Sequence, residues 1–498
     1  MKRIAVASAA AMLLAGCGST VQYVGSGASN GSELSTGSSA ATQPGSGLSV
    51  PDSGLSVPGA SNTAAAVGRA GSVGGTGSAA HPPGQSSSNT GSTTKVANGT
   101  PVSTGPIQLG FIVTNASNAG SLGINAGQTY TDQQLYDALV AAMNKGGGVN
   151  GRKIQPVYGV TDTASANWNS DFQAACAKFT QDNHVTAVLG YIFVFLDSFE
   201  SCLAKAGVPH LYGGYQPGDV SQQREYPGLV STTAPTSDEH WQVGLEGAVT
   251  SGVLTPKNKL GIIVDTCAND DKAFARVGAP YLKAHNITYE TVVGQCSQGQ
   301  SDTGSASAQI QNAELQFRSH GDDTVFVEGV PALLFAEDAE SQHWYPRYLM
   351  TFAGAAFESN VPADQLANFH GFGMIPSVDV DPLHQPYAWN ASEKRCLDML
   401  KSQGLTPKAY NDFFEAFTSC DSLFLYAAAL KADEGQTAVG PVVSALSSVI
   451  GRTLLSSTYA GMGRYVADQH GGPAVWRQWS WSTGCSCFQY VGPTHPIG

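Results

Sequence analysis

From Ile107 onward, apolar runs of strand length alternate with amphipathic segments of helix length, and this alternation restricts the fold more than any other feature of the chain. "IQLGFIV" (107–113) reads as a strand, and 131–145 as a helix with Leu135, Leu139 and Met143 at fourfold spacing on one face. Strands at 153–159, 185–190 and 208–213 follow, with helices near 168–182 and 197–206 between them. A second series runs helix 238–253, strand 259–265, helix 271–285, strand 287–294, helix 305–319, strand 323–329, helix 331–343 and strand 347–352. A strand that returns through a helix lies parallel to its predecessor, so each series predicts a parallel sheet covered by helices. The repetition predicts two similar lobes.

The glycine-rich stretch "NKGGGVNGRKI" (144–154) tests this reading. A phosphate loop runs from strand into helix, with its glycines at the helix N-terminus. Here the order is reversed. Lys145 ends a helix, the glycines give a left-handed stop, Asn150-Gly151 makes a tight turn and Ile154 enters a strand.

Ahead of the folded part, "MKRIAVASAAAMLLAGC" (1–17) has a basic start and an apolar run too short to span a bilayer as a helix, the pattern of a secretory signal peptide at 1–16. Leu14-Ala15-Gly16-Cys17 resembles the lipobox of bacterial lipoproteins, which implies a lipidated Cys17 at the mature N-terminus and an anchor in the membrane. Residues 17–105 are rich in Gly, Ser, Thr, Ala and Pro, with Glu33, Asp52, Arg69 and Lys95 as their charges and Tyr23 as their only aromatic. Such a composition builds no core and reads as a flexible tether. Gly27-Ala28-Ser29-Asn30-Gly31 has the spacing of a serine-hydrolase elbow but lacks the strand and helix that the elbow needs.

A formal net charge of -13 leaves no basic stripe, which argues against nucleic acid as a partner. Nine cysteines, less Cys17, leave an even number in an oxidising compartment. Sequence proximity suggests Cys176–Cys202, Cys267–Cys296 and Cys396–Cys420, and by elimination Cys485–Cys487. A zinc site on Cys485, Cys487 and His495 is the alternative, although three ligands at irregular spacing favour disulfides over a metal. No cofactor motif stands out. The folded part also shows no His-Glu-x-x-His segment and no Gly-x-Ser-x-Gly elbow, so no catalytic residue is assigned and an enzyme is not expected.

The corner "GGGVNGRKI", between helix and strand, is similar to the corner after the first helix of type I periplasmic binding proteins, the family that includes branched-chain amino-acid binding proteins of ABC importers. "CAKFTQDNHVTAVLG" (176–190), "AKAGVPHLYGG" (204–214) and "GIIVDTCANDDKAFARVGAPYLKAHNIT" (261–288) extend the resemblance, which covers residues 106 to the end and is weakest in "WRQWSWSTGCSCFQYVG". It implies an α/β fold of two Rossmann-like lobes joined by a hinge of three crossings, near 231–236, 353–370 and 450–460. Lobe one then spans about 106–231 and 370–450, with helices around 388–403 and 410–431, and lobe two about 232–369 and 451–498.

Ligands of open parallel sheets sit at the carboxyl ends of the strands. That rule selects Asn115, Ser117, Tyr191, Tyr212 and Tyr215 in lobe one, and Asp265, Asn269, Glu328 and Phe352 in lobe two. Each has a plainer reading: Tyr191 as core, Asn115 in a turn, Asp265 as a helix cap, Glu328 solvated. His210 reads as a buried, hydrogen-bonded histidine. Amino-acid binders of the family hold a carboxylate with Ser or Thr after the third strand, whereas this chain has Tyr191-Ile192-Phe193-Val194-Phe195 there. The expectation is an extracytoplasmic, membrane-anchored solute-binding protein with a small amino-acid-like or aromatic and apolar ligand and an ABC permease as partner. The alternative is a surface receptor that signals to a partner protein without transport.

Overall fold

The computed structural model describes residues 93–95, 101–103, 105–115, 127–190, 194–214, 217–352, 354–385, 387–466 and 469–498. Residues 1–16, read as a signal peptide, Cys17 and most of the stretch read as a tether fall outside them, as do Ser117, Tyr191 and Tyr215. Within the stretch read as tether, β1 (Thr93–Lys95) and β2 (Pro101–Ser103) pair as an antiparallel hairpin.

The first lobe is a parallel sheet of β3 (Ile107–Asn115), β4 (Ile154–Asp162), β5 (Val188–Gly190), β6 (His210–Tyr212) and β7 (Leu229–Ser231), in the order β4-β3-β5-β6-β7. Strand β3 is apolar on both faces because helices cover both. Leu109, Phe111 and Val113 point into a core with Leu135, Leu139 and Phe417, while Ile112 faces Phe172, Phe179 and Val188 on the other side. The helix Asp132–Lys145 starts in a reciprocal cap between Thr131 and Gln134. It ends in the glycine corner. Gly148, Asn150 and Gly151 all have positive φ, Val149 and Arg152 exchange backbone bonds of 2.9 Å, and a Cβ on Gly148 would lie 1.9 Å from Arg152 O. The long apolar helix Tyr410–Ala432 is core to this lobe, with Phe417, Leu423 and Leu425 buried against the sheet.

The second lobe repeats the order. Strands β8 (Lys259–Asp265), β9 (Thr288–Gly294), β10 (Thr324–Phe326), β11 (Arg347–Met350) and β12 (Phe369–Gly373) run parallel as β9-β8-β10-β11-β12. A closing antiparallel hairpin, β13 (Val475–Ser482) and β14 (Cys487–Pro496), adds to β12. Among the described residues four disulfides form, Cys176–Cys202, Cys267–Cys296 and Cys396–Cys420, the pairs that sequence proximity suggests, and Cys485–Cys487, the pair left by elimination.

The chain passes between the sheets three times, at 232–236, 374–390 and 453–474. The sequence reading sets the second passage at 353–370. It comes later because β12 stays in the second sheet, paired with both β11 and β13. Its sequence, Phe-His-Gly-Phe-Gly, carries little strand signal. Gly371 is there to make room, since a Cβ would lie 1.8 Å from the Trp479 ring.

Buried carboxyls tie the passages together. Glu239 meets Arg464 and Gln469 of the third passage, Asp379 of the second accepts from Tyr459 Oη at 2.9 Å, and Asp421 accepts from the backbone of Ser456 and Ser457. Burial raises Glu239 to about 7 against the pull of Arg464, Glu393 to about 7 and Asp421 to about 6. A carboxyl raised by folding contributes stability that is whole below its unfolded value and is lost as pH rises through the folded one. His370, lowered to about 4 by burial, works in the opposite sense. With the carboxyls in the majority, the melting midpoint should stand several degrees higher at pH 5 than at pH 8. A flat or inverted midpoint-versus-pH curve would show that these groups are ionised in the fold at little cost.

Candidate functional site

The carboxyl-end loops of the two sheets meet. At the edge away from the three passages, the loop after β4 bonds to the loop after β9 through backbone groups, with Trp168 N donating to Gln298 O and Gln300 N to Ser165 O, both at 2.9 Å. Nearer the passages, Asn269 Nδ2 donates to Asp219 Oδ1 at 3.2 Å, and Arg276 bonds both Asp219, at 2.9 Å, and Asp238. Asp219 is fully buried. These contacts enclose the region where, in each lobe, the strand order reverses: between β3 and β5 in the first lobe and between β8 and β10 in the second. Crevices form at such switch points because neighbouring connections leave to opposite faces of the sheet.

On the second-lobe side, Asp265 ends β8 and accepts from Cys267 N at 2.7 Å, while its own N–H donates to Asp270 Oδ2 at 3.3 Å. Asp270 Oδ1 accepts from Trp241 Nε1 at 2.8 Å. Glu328, just past β10, accepts at Oε1 from both N and Oγ1 of Thr351 at 2.8 Å. Its Oε2 is shielded from solvent and has no hydrogen-bond partner among the described residues. No Lys or Arg among them forms an ion pair with any of these three carboxyls. Burial is the main cause that raises Glu328 to about 8 and Asp265 to about 6, and it raises Asp270 as well. A carboxyl titrating near 8 has two uses at neutral pH. Protonated, it donates to an anionic oxygen; ionised, it receives an ammonium.

The described candidate residues differ in where they stand. Asp265, Asn269 and Glu328 stand at the facing loops. Phe352 is buried beside them, edge-on to His240 with ring centres 5.6 Å apart. Asn115 is at the end of β3 and exposed, and its amide donates to Asp162 Oδ2 at 3.1 Å, so it also braces the β3 and β4 ends. Tyr212 is 2% exposed and packs edge-on to His210 in the first-lobe core, with its ring folded under Gly214. The core packing, not the cleft, accounts for that side chain. His210 is buried and bonds Glu200 at 2.8 Å.

Sequence reasoning passed over Thr351, His240 and Asp270. Thr351 sits one position before Phe352, at the strand end that was already selected. His240 is bonded to Thr351 through Nδ1 from the helix Ser237–Thr250, and Asp270 lies behind Asp265. Only the pairing of β10 with β8 and β11 brings these groups together.

The three-dimensional likeness agrees with this geometry. An ABC-transporter solute-binding protein from R. palustris, solved with 4-hydroxybenzoate, is 15% identical and superposes with a TM-score of 0.55 over 79% of this chain and 97% of its own. The chain has the type I periplasmic binding-protein fold. A possible leucine/isoleucine/valine-binding protein from Rhodopirellula baltica SH 1 gives 0.56 at 13% identity, over 79% and 98% of the two chains. An ABC transporter substrate-binding protein from Desulfitobacterium hafniense, solved with Leu, gives 0.51 at 17%, over 78% and 100%. No protein-family model and no curated protein matches the sequence. Identities this low carry the periplasmic binding-protein fold and leave its ligand open.

Proposed function

We propose that the protein is an extracytoplasmic solute-binding component of an ABC importer, tethered to the membrane through Cys17, that closes its two lobes around a small organic molecule. The observation that carries this reading is the facing of two switch points whose flanking loops bond directly between the lobes, with Glu328, whose Oε2 has no hydrogen-bond partner among the described residues, beside them. Structures of the same fold hold leucine in one case and 4-hydroxybenzoate in another. Both ligands join a charged group to an apolar body, which is the class proposed here. Closure is selective because only a ligand that bonds both lobes favours the closed state. Asp265, Asn269, Glu328 and Phe352 from lobe two, with Asn115, Ser117, Tyr191 and Tyr215 from lobe one, are the residues proposed to line it.

Closure has its own test. A Cβ on Gly299 would lie 2.0 Å from Ala166 O across the gap between the lobes. Gly299→Ala should therefore penalise the closed form alone. Ligand affinity is expected to fall about tenfold, the equivalent of roughly 1.4 kcal/mol, while the ligand-free melting midpoint stays within about a degree. Equal affinity in the two proteins, measured by calorimetry, would mean that these loops do not meet in the bound state.

A further inference from the structure

The closing hairpin carries a disulfide unlike the other three. Cys176–Cys202, Cys267–Cys296 and Cys396–Cys420 close sequence separations of 26, 29 and 24 and tie distant parts of the chain, whereas Cys485–Cys487 spans a separation of 2. The stabilisation that a fold draws from a cross-link grows with the length of chain it closes, so the fold depends least on this one. Of the eight paired cysteines, Cys485 alone is exposed, while Cys487 beside it is 2% exposed and Cys176, Cys396 and Cys420 are fully buried. The intervening Ser486 is held at φ 53°, in the left-handed region that costs a residue with a side chain. Cys202, Cys267 and Cys296 are half-buried, so an attacking thiolate finds the most exposed disulfide cysteine at Cys485, in a ring whose opening leaves the lobes intact.

We propose that Cys485–Cys487 is a thiol–disulfide exchange site that accepts a low-molecular-weight thiol at Cys485. The thiol loses its proton, and its thiolate attacks Cys485 Sγ. The Cys485–Cys487 bond breaks, its electron pair stays on Cys487 Sγ, and that sulfur takes up a proton. A mixed disulfide remains on Cys485. A second thiolate then attacks the sulfur of the first, releasing the external disulfide and leaving Cys485 as a thiol. In balance, two thiols are oxidised to one disulfide as the cysteine pair is reduced.

Exposure of the oxidised, folded full chain to reduced glutathione, followed by acid quenching, alkylation and peptide mass spectrometry, tests the assignment. The Cys485–Cys487 peptide should open at least about tenfold faster than any other pair, since access governs the rate. With oxidised glutathione, Cys487→Ser should load an adduct on Cys485, and Cys485→Ser should load Cys487 at least about tenfold more slowly. Both variants should melt within a few degrees of the parent, because the ring closes so little chain. Faster opening of another pair, equal loading of the two variants, or exchange seen only once the protein unfolds would each overturn the proposal.

Discussion

Glu328→Gln is expected to remove the pH dependence of ligand binding while leaving the fold intact. In the parent, Glu328 titrates near 8 because burial outweighs its two bonds from Thr351. A ligand that offers an ammonium must ionise this carboxyl, so its affinity should rise as pH climbs toward 8 and a proton should be released on binding. For such a ligand, Glu328→Gln should cost about 30-fold or more, in line with roughly 2–5 kcal/mol for breaking a buried charged bond. A ligand that offers a carboxylate instead needs the proton to stay. Its affinity should fall as pH rises through 8, and the glutamine, still a donor, should hold it with a flat profile. The direction of the slope thus separates an amino-acid-like ligand from an aromatic acid. Identical pH profiles in parent and variant would remove Glu328 from the site. The variant serves as its own folding control: with no carboxyl to ionise, it should melt above the parent at pH 9.

The second large effect concerns the third passage. Asp421, fully buried on the helix Tyr410–Ala432, accepts from Ser456 N at 2.7 and 2.9 Å, from Ser457 N at 2.8 Å and from Ser457 Oγ at 2.6 Å. Asp421→Ala leaves those donors facing a buried void. The expected cost is about 3–5 kcal/mol, a fall in melting midpoint of roughly 4–6 °C for a folded part of this size. Asp421→Asn keeps an acceptor in place and should lose much less. A fall of only a degree or two in the alanine variant would show that water reaches Ser456 and Ser457 and that the passage is not pinned there.

The parts of the fold that were legible in the sequence are those written in local chemistry. The corner at 146–151 was readable because Gly148, Asn150 and Gly151 adopt left-handed conformations that few residues tolerate. The sheets were readable because β3 and β8 are apolar runs bounded by helices, and the recurrence of the pattern supplied the second lobe. Strand β12 was not, since Gly371 answers to Trp479, more than a hundred positions away, and Gly373 to the Asp379 carboxyl of the next passage. The antiparallel direction of β13 and β14 depends on a neighbour that periodicity does not name. At the site, the strand-end rule found Asp265 and Glu328 but not their circumstances. Whether Glu328 keeps an unsatisfied oxygen is decided by Thr351 and by packing, and the core position of Tyr212 depends on the backbone at Gly214.

Ligand-driven closure is open to a thermal-shift screen of the oxidised protein against amino acids and aromatic acids. At about a hundredfold over its dissociation constant, a true ligand adds roughly 2.7 kcal/mol, enough to raise the midpoint by several degrees. Such a rise is expected for one of these two classes, diminished in Gly299→Ala. A cooperative melt that no compound in either class moves would mean that the lobes do not close on a ligand of this kind.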